Sequence, residues 1–188
     1  WFHVLHLNTN GGKMSKSKGE FLTVSLLEEK GYNPLVYRFF CLQSHYRKSL
    51  VFSYENLDNA VAAWEKLLAR VAKLDKNGEV DGAKFEELKR DFTDAMDNDL
   101  NTSLGVTALY NVLKADTNDA TKLALINDFD KVLSLDLVEQ AKKLSEKKDD
   151  APANEEDAEI DALVAQRTQA RKDKNWAEAD RIRDELNA

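Results

Sequence analysis

One cysteine, two prolines and seven glycines in 188 residues leave little to staple or interrupt this chain. With Cys41 alone, no internal disulfide and no cysteine-based metal cluster can be built, which points to a reducing, cytoplasmic setting. Apolar runs are short. None approaches the roughly 20 residues that span a bilayer as a helix, and 32% charged residues also argue against a membrane partner. No secretory signal opens the chain, and no initiator Met precedes Trp1. Strand signals are scarce as well. The stretch from Trp1 to Leu7 reads as one short buried strand on imperfect period-2 alternation. A strand needs partners that the rest of the sequence hardly offers, so the start reads as a cut through a larger domain. No internal repeat is evident.

What the chain does have is length for one sizeable domain or two small ones, and an uneven charge. Residues 1–50 carry seven Lys or Arg against three Glu, a formal +4. With the whole at −7, the remainder carries −11. All three histidines, His3, His6 and His45, also fall in the basic part. A basic front suits phosphate or nucleic acid, whereas the acidic rear reads as solvated helix surface.

Helical signals dominate after residue 22. Thr23 or Ser25 caps a short helix that Gly31 ends, and Asn33-Pro34 is a strong start signal. The second helix sends Leu35, Val36, Phe39, Phe40 and Leu42 towards a core. Ser53 opens a long helix on Leu57, Val61, Trp64, Leu67 or Leu68, Val71 and Leu74. After a loop at Asp75 to Gly82, Phe85, Leu88, Phe92 and Met96 continue the period. The acidic corner Asp97-Asn98-Asp99 reads as helix capping, since it lacks the spaced ligands and glycine of a calcium loop. Further helices follow on Leu104 to Leu113 and on Leu123, Ile126, Phe129, Val132 and Leu133. Residues 145–156 read as a charged linker, ahead of two short terminal helices. The fold is expected to be mainly α: an α/β remnant in front, then consecutive antiparallel helices as a bundle.

One run carries chemistry. Lys13-Met14-Ser15-Lys16-Ser17, between Gly11-Gly12 and Lys18-Gly19, offers two ammonium groups three residues apart, two hydroxyls and flanking glycines. Ammonium and hydroxyl groups bond phosphate oxygens, and glycines free the backbone to open and close over a ligand. Most Lys/Ser/Gly stretches are merely solvated turns, but this order resembles the signature loop of class I aminoacyl-tRNA synthetases. Three more stretches resemble cysteinyl-tRNA synthetases: Asn33 to Leu42 with His45-Tyr46-Arg47, similar to that family's stem-contact region; Met96 to Thr102, similar to the acidic motif of its helical bundle; and Ala170 to Leu186, similar to its late helices. Trp1-Phe2-His3 stands at the family's spacing before the loop. The matches run in order along the whole chain.

The resemblance implies an enzyme that joins L-cysteine to ATP, releasing pyrophosphate, and passes the cysteinyl group from the adenylate to tRNA(Cys). It implies that Lys13 and Lys16 approach the triphosphate with Mg²⁺, Lys16 chiefly stabilising transition-state charge, and that Met14 anchors the loop by apolar packing. Ser15 and Ser17 are read either as phosphate partners or as conformational elements. His45, Tyr46 and Arg47 either touch the tRNA stem or clamp the junction with the bundle. Arg167, Arg171 and Lys174 form a strip that could face RNA among interleaved acids. His3 reads as a hydrogen-bonded structural histidine and Cys41 as a packed core residue.

On this reading 1–22 ends the catalytic domain, 23–52 is the stem-contact region, 53–144 the helical bundle, 145–156 a linker and 157–188 the terminal helices of the anticodon-binding region. The family's His-Ile-Gly-His signature is absent, and its Zn²⁺ ligands are expected outside these residues, leaving no metal site here. The small anticodon-reading domain is expected after Ala188. The chain is therefore expected to be a monomeric fragment, inactive alone. Two alternatives stand beside this: a relative coupling cysteine to an amino sugar, and a non-catalytic helical module that binds tRNA or a protein.

Overall fold

The computed structural model describes residues 1, 3–9, 12–13, 23–150 and 181. In chain order the elements are β1 (Leu7–Thr9), β2 (Gly12–Lys13), α1 (Val24–Glu29), α2 (Pro34–Leu42), β3 (Leu50–Phe52), α3 (Tyr54–Val71), α4 (Gly82–Asp97), α5 (Thr102–Lys114), α6 (Asp119–Leu133) and α7 (Leu137–Asp150). The described part is mainly helical, as expected. Contacts gather Trp1–Ser145 into one compact unit and Glu146–Ala188 into a second.

Side-chain caps set the helix starts. Thr23, Asn33, Ser53, Asp81, Asn101 and Asn118 each place an oxygen on the first free N–H groups of the following helix. Pro34 follows its cap at the first helical position, where it has no N–H to lose. Gly31 ends the first turn-and-helix unit with φ +86°, a conformation that favours glycine.

The small sheet differs from the sequence expectation. Its order is β2-β1-β3, with β1 antiparallel to β2 and parallel to β3. Trp1, Val4 and Leu5 are exposed, so the strand begins only at Leu7 and the segment before it is not buried. Its parallel partner, Leu50–Phe52, lies beyond two helices, a connection that local periodicity does not reveal.

Helix α2 holds the unit together, packing on both α3 and α5. Phe39 is fully buried with its ring centroid 5.5 Å from that of Trp64, while Phe40 meets Phe52 edge-on. Helices α4, α5 and α6 pack pairwise, with Phe92 stacked on Phe129 at 4.1 Å between centroids. Each such large side chain contributes about 1.5–3 kcal/mol on burial. Both Leu67 and Leu68 are buried. Val132 is exposed instead of facing the core, and Leu125 is buried in its helix. Helix α7 continues to Asp150, into the stretch read as linker, because Lys and Glu form helices readily.

Two corners use left-handed backbone at non-glycine residues. Asp99 (φ 59°) and Leu100 (φ 51°) join α4 to α5, and Ser134 (φ 51°) and Asp136 (φ 56°) join α6 to α7. Such a conformation costs about 1–2 kcal/mol per residue, so neighbouring bonds must hold it. At the second corner the Asp130 carboxylate accepts from the N–H groups of Leu135 (2.6 Å) and Leu137 (2.8 Å). Arg38 Nε donates to the Leu133 carbonyl at 2.7 Å, placing a cation at the negative end of α6.

Candidate functional site

The Lys-Met-Ser-Lys-Ser run is entered from a hairpin. Lys13 pairs with Asn8 across β1 and β2, and Gly12 pairs with Thr9. Asn8 is therefore the middle of three strands, since it also pairs with Val51 of β3, and its side-chain Nδ2 donates to Ser49 Oγ at 2.8 Å. Met14, Ser15, Lys16 and Ser17 lie outside the described residues, as do Arg167 and Arg171. His3 is exposed and its ring stacks on Trp1, with centroids 6.4 Å apart.

The second group of expected site residues forms one cluster after α2. His45 and Tyr46 rings stack with centroids 4.6 Å apart, and the Arg47 guanidinium lies 5.5 Å over the Tyr46 ring. All three converge on Asp99. Tyr46 donates its hydroxyl to Asp99 Oδ1 (2.5 Å). Arg47 Nη2 donates to Oδ1 of the same carboxylate at 3.3 Å, and its Nε stands 2.9 Å from Oδ2 as an ion pair. His45 Nε2 stands 3.7 Å from Oδ2. The Arg47 pKa is raised, first by the hydrogen bond with Tyr46 and then by the Asp99 charge. Asp99 thus takes bonds from the cluster, where its sequence neighbourhood had suggested helix capping. The caps are Asn98, which closes α4, and Asn101, which opens α5. No spacing rule links 45–47 to 99; the readable signal was charge complementarity between a basic aromatic triplet and an acidic corner.

Cys41 is half-buried in α2 beside Tyr37. Burial pushes its thiol pKa up, so the sulfur stays protonated at neutral pH and makes a poor ligand or nucleophile. Burial also pushes Tyr37 up, to about 12. Among the described residues no three His, Cys, Asp or Glu side chains gather to hold a metal ion. A groove of about 300 Å³ between α4 and α5 is lined by Asp91, Asp94, Asn98, Thr107 and Asn111 among others, and its carboxylates disfavour phosphate. No helix among the described residues is long and apolar enough to cross a membrane.

Residues 1–62 match the family of tRNA synthetases class I (C), catalytic domain, and residues 153–188 match the cysteinyl-tRNA ligase anticodon-binding domain. Along its full length the chain is 39% identical to a cysteine–tRNA ligase of Novosphingobium aromaticivorans, covering 39% of that protein. It is 38% identical to one from Caldicellulosiruptor saccharolyticus and 37% identical to one from Symbiobacterium thermophilum, covering 42% of each. The chain belongs to the cysteinyl-tRNA synthetase family. It spans about two-fifths of the length of the curated relatives it matches. The catalytic-domain match runs on through α2 and β3 into α3, and the anticodon-binding match covers the end of the chain.

Proposed function

We propose that this chain works as part of a cysteine–tRNA ligase. In that reaction the cysteine carboxylate attacks the α-phosphorus of MgATP, pyrophosphate leaves, and cysteinyl-adenylate forms. A hydroxyl of the terminal ribose of tRNA(Cys) then attacks the carbonyl and AMP leaves. Negative charge moves onto the departing pyrophosphate in the first step. Lys16, with Lys13 beside it, neutralises that charge more fully in the transition state than in the ground state, which is what accelerates a step. Met14 anchors the loop; Ser15 and Ser17 bond phosphate or shape the turn. The supporting observation is the motif itself, entered from a strand-paired Lys13 in a chain that matches the family at both ends.

RNA contact falls to His45, Tyr46 and Arg47, and to Arg167 and Arg171 further on. Arg47 keeps 66% of its side chain exposed, enough to reach a phosphate. The match to an anticodon-binding domain favours tRNA over an amino sugar as acceptor, and the phosphate-binding motif favours an enzyme over a plain binding module. The protein is read as a cytoplasmic monomer. Among the described residues no ligand set for a zinc ion is gathered.

The test is Lys16→Ala in the ligase that carries this chain. Cysteine-dependent pyrophosphate exchange should slow by about a hundredfold or more, with cysteine binding little changed. Equal loss in both would make Lys16 a binding contact only. The 188 residues alone should show no such exchange.

A further inference from the structure

We propose that Asp99 is a positioning residue for the phosphate-binding hairpin, acting from the α4–α5 corner through Tyr46. The proposal rests on the ligase reading for its chemistry, but its structural premise is independent of it.

The path is short and continuous. The Asp99 carboxylate holds the Tyr46 hydroxyl and the Arg47 guanidinium. Arg47 Nε also donates to the Tyr46 hydroxyl at 2.9 Å, and Arg47 N–H donates to His45 Nδ1 at 3.2 Å, so the three residues move as one. The Tyr46 carbonyl in turn accepts from the Leu5 N–H at 3.0 Å. Three residues on, Asn8 pairs with Lys13, and its side chain reaches Ser49 in the same 45–49 segment. A carboxylate in the bundle is thereby linked, through Tyr46 and the 45–49 segment, to Leu5 just ahead of β1 and to Asn8 within it.

Three features set this cluster apart from an ordinary surface ion pair, which contributes little. Arg47 joins an ion pair and a hydrogen bond on Asp99, the pair belongs to a network of four side chains, and His45 is only 13% exposed. Asp99 is also one of two consecutive left-handed residues, backbone that persists only where surrounding bonds over-determine it. Thr102 Oγ1 donates to the Ser44 carbonyl at 3.5 Å, adding a second strand to the same junction.

Amide hydrogen exchange on the full chain decides the premise. Asp99→Asn and Tyr46→Phe should each speed exchange over residues 3–13 by about tenfold, and the double variant should add little, because both cut one path. Exchange in α6 and α7 should not change. Unaltered exchange over 3–13, or equal acceleration throughout the helices, overturns the proposal, the latter marking a general loss of stability. In the intact ligase, Asp99→Asn should lower kcat for pyrophosphate exchange by about tenfold while KM for cysteine is little changed. Unchanged exchange activity overturns it too. An unsubstituted ligase without exchange activity would instead sink the proposed function, and the hydrogen-exchange measurement would still decide the role of Asp99.

Discussion

A hydrogen atom in place of a side chain at Gly105 sets how closely α5 approaches α4. A Cβ there would stand 2.7 Å from Met96 Cε and 3.2 Å from Phe92 Cε2. The Met96 tip can swing away; Phe92 cannot, because its ring is stacked on Phe129. Gly105→Ala should be close to neutral, since the helix gains about 1 kcal/mol from losing a glycine and spends it on the crowding. Gly105→Val should lose about 1–3 kcal/mol by overpacking. Urea unfolding at constant m-value measures both. Thr121 is another single-residue fastening, fully buried with its hydroxyl accepting from the Asp81 N–H and donating to Asn118 Oδ1, both at 2.8 Å. Thr121→Val removes the acceptor of the Asp81 N–H and one of the two bonds to Asn118 Oδ1, and should cost about 0.5–1.5 kcal/mol in the same measurement.

At the scale of elements, the start of α7 depends on a residue of α6. The Asp130 carboxylate serves two N–H groups of fully buried residues, so Asp130→Ala should cost about 1–3 kcal/mol, and Asp130→Asn, which keeps one acceptor, visibly less. Thermal unfolding of the three proteins side by side checks the ranking. Elements marked by local chemistry were legible in the sequence: Thr23, Asn33 and Ser53 announce helices, and Phe39, Trp64, Phe92 and Phe129 fall on their buried faces. What escaped was non-local. Strand β3 has three residues and a partner about forty positions away, and the grip of Asp99 on Tyr46 spans fifty-three. Neither separation leaves a periodic trace. The end of α7 escaped for a different reason: a charged run reads equally as solvated linker or as exposed helix, and only the contacts of Leu137 and Ala141 with the core decide. The lysines proposed for the site stand in a contiguous motif, so the sequence alone names them.

For the whole molecule, pH bounds the folded state from both sides. The Asp128 pKa is lowered, first by its hydrogen bond from Lys89 and then by that from Lys131. A lowered carboxylate stabilises the fold above its unfolded value of 3.8 and loses that contribution as pH falls through the folded value. The stability difference between the native chain and Asp128→Asn should thus be constant near neutrality and shrink as pH falls below 3.8. At the other limit Tyr37, raised to about 12, favours the fold fully below its ordinary value of 10.0 and ceases to do so as pH rises through 12. Absorbance titration should find one phenol ionising near 12, and Tyr37→Phe should remove it. The order of strands has a temporal consequence. Because β1 lies between a neighbour made almost at once and another made forty residues later, a polypeptide leaving the ribosome cannot complete this sheet until Phe52 has emerged. The hairpin is translated first and seated late.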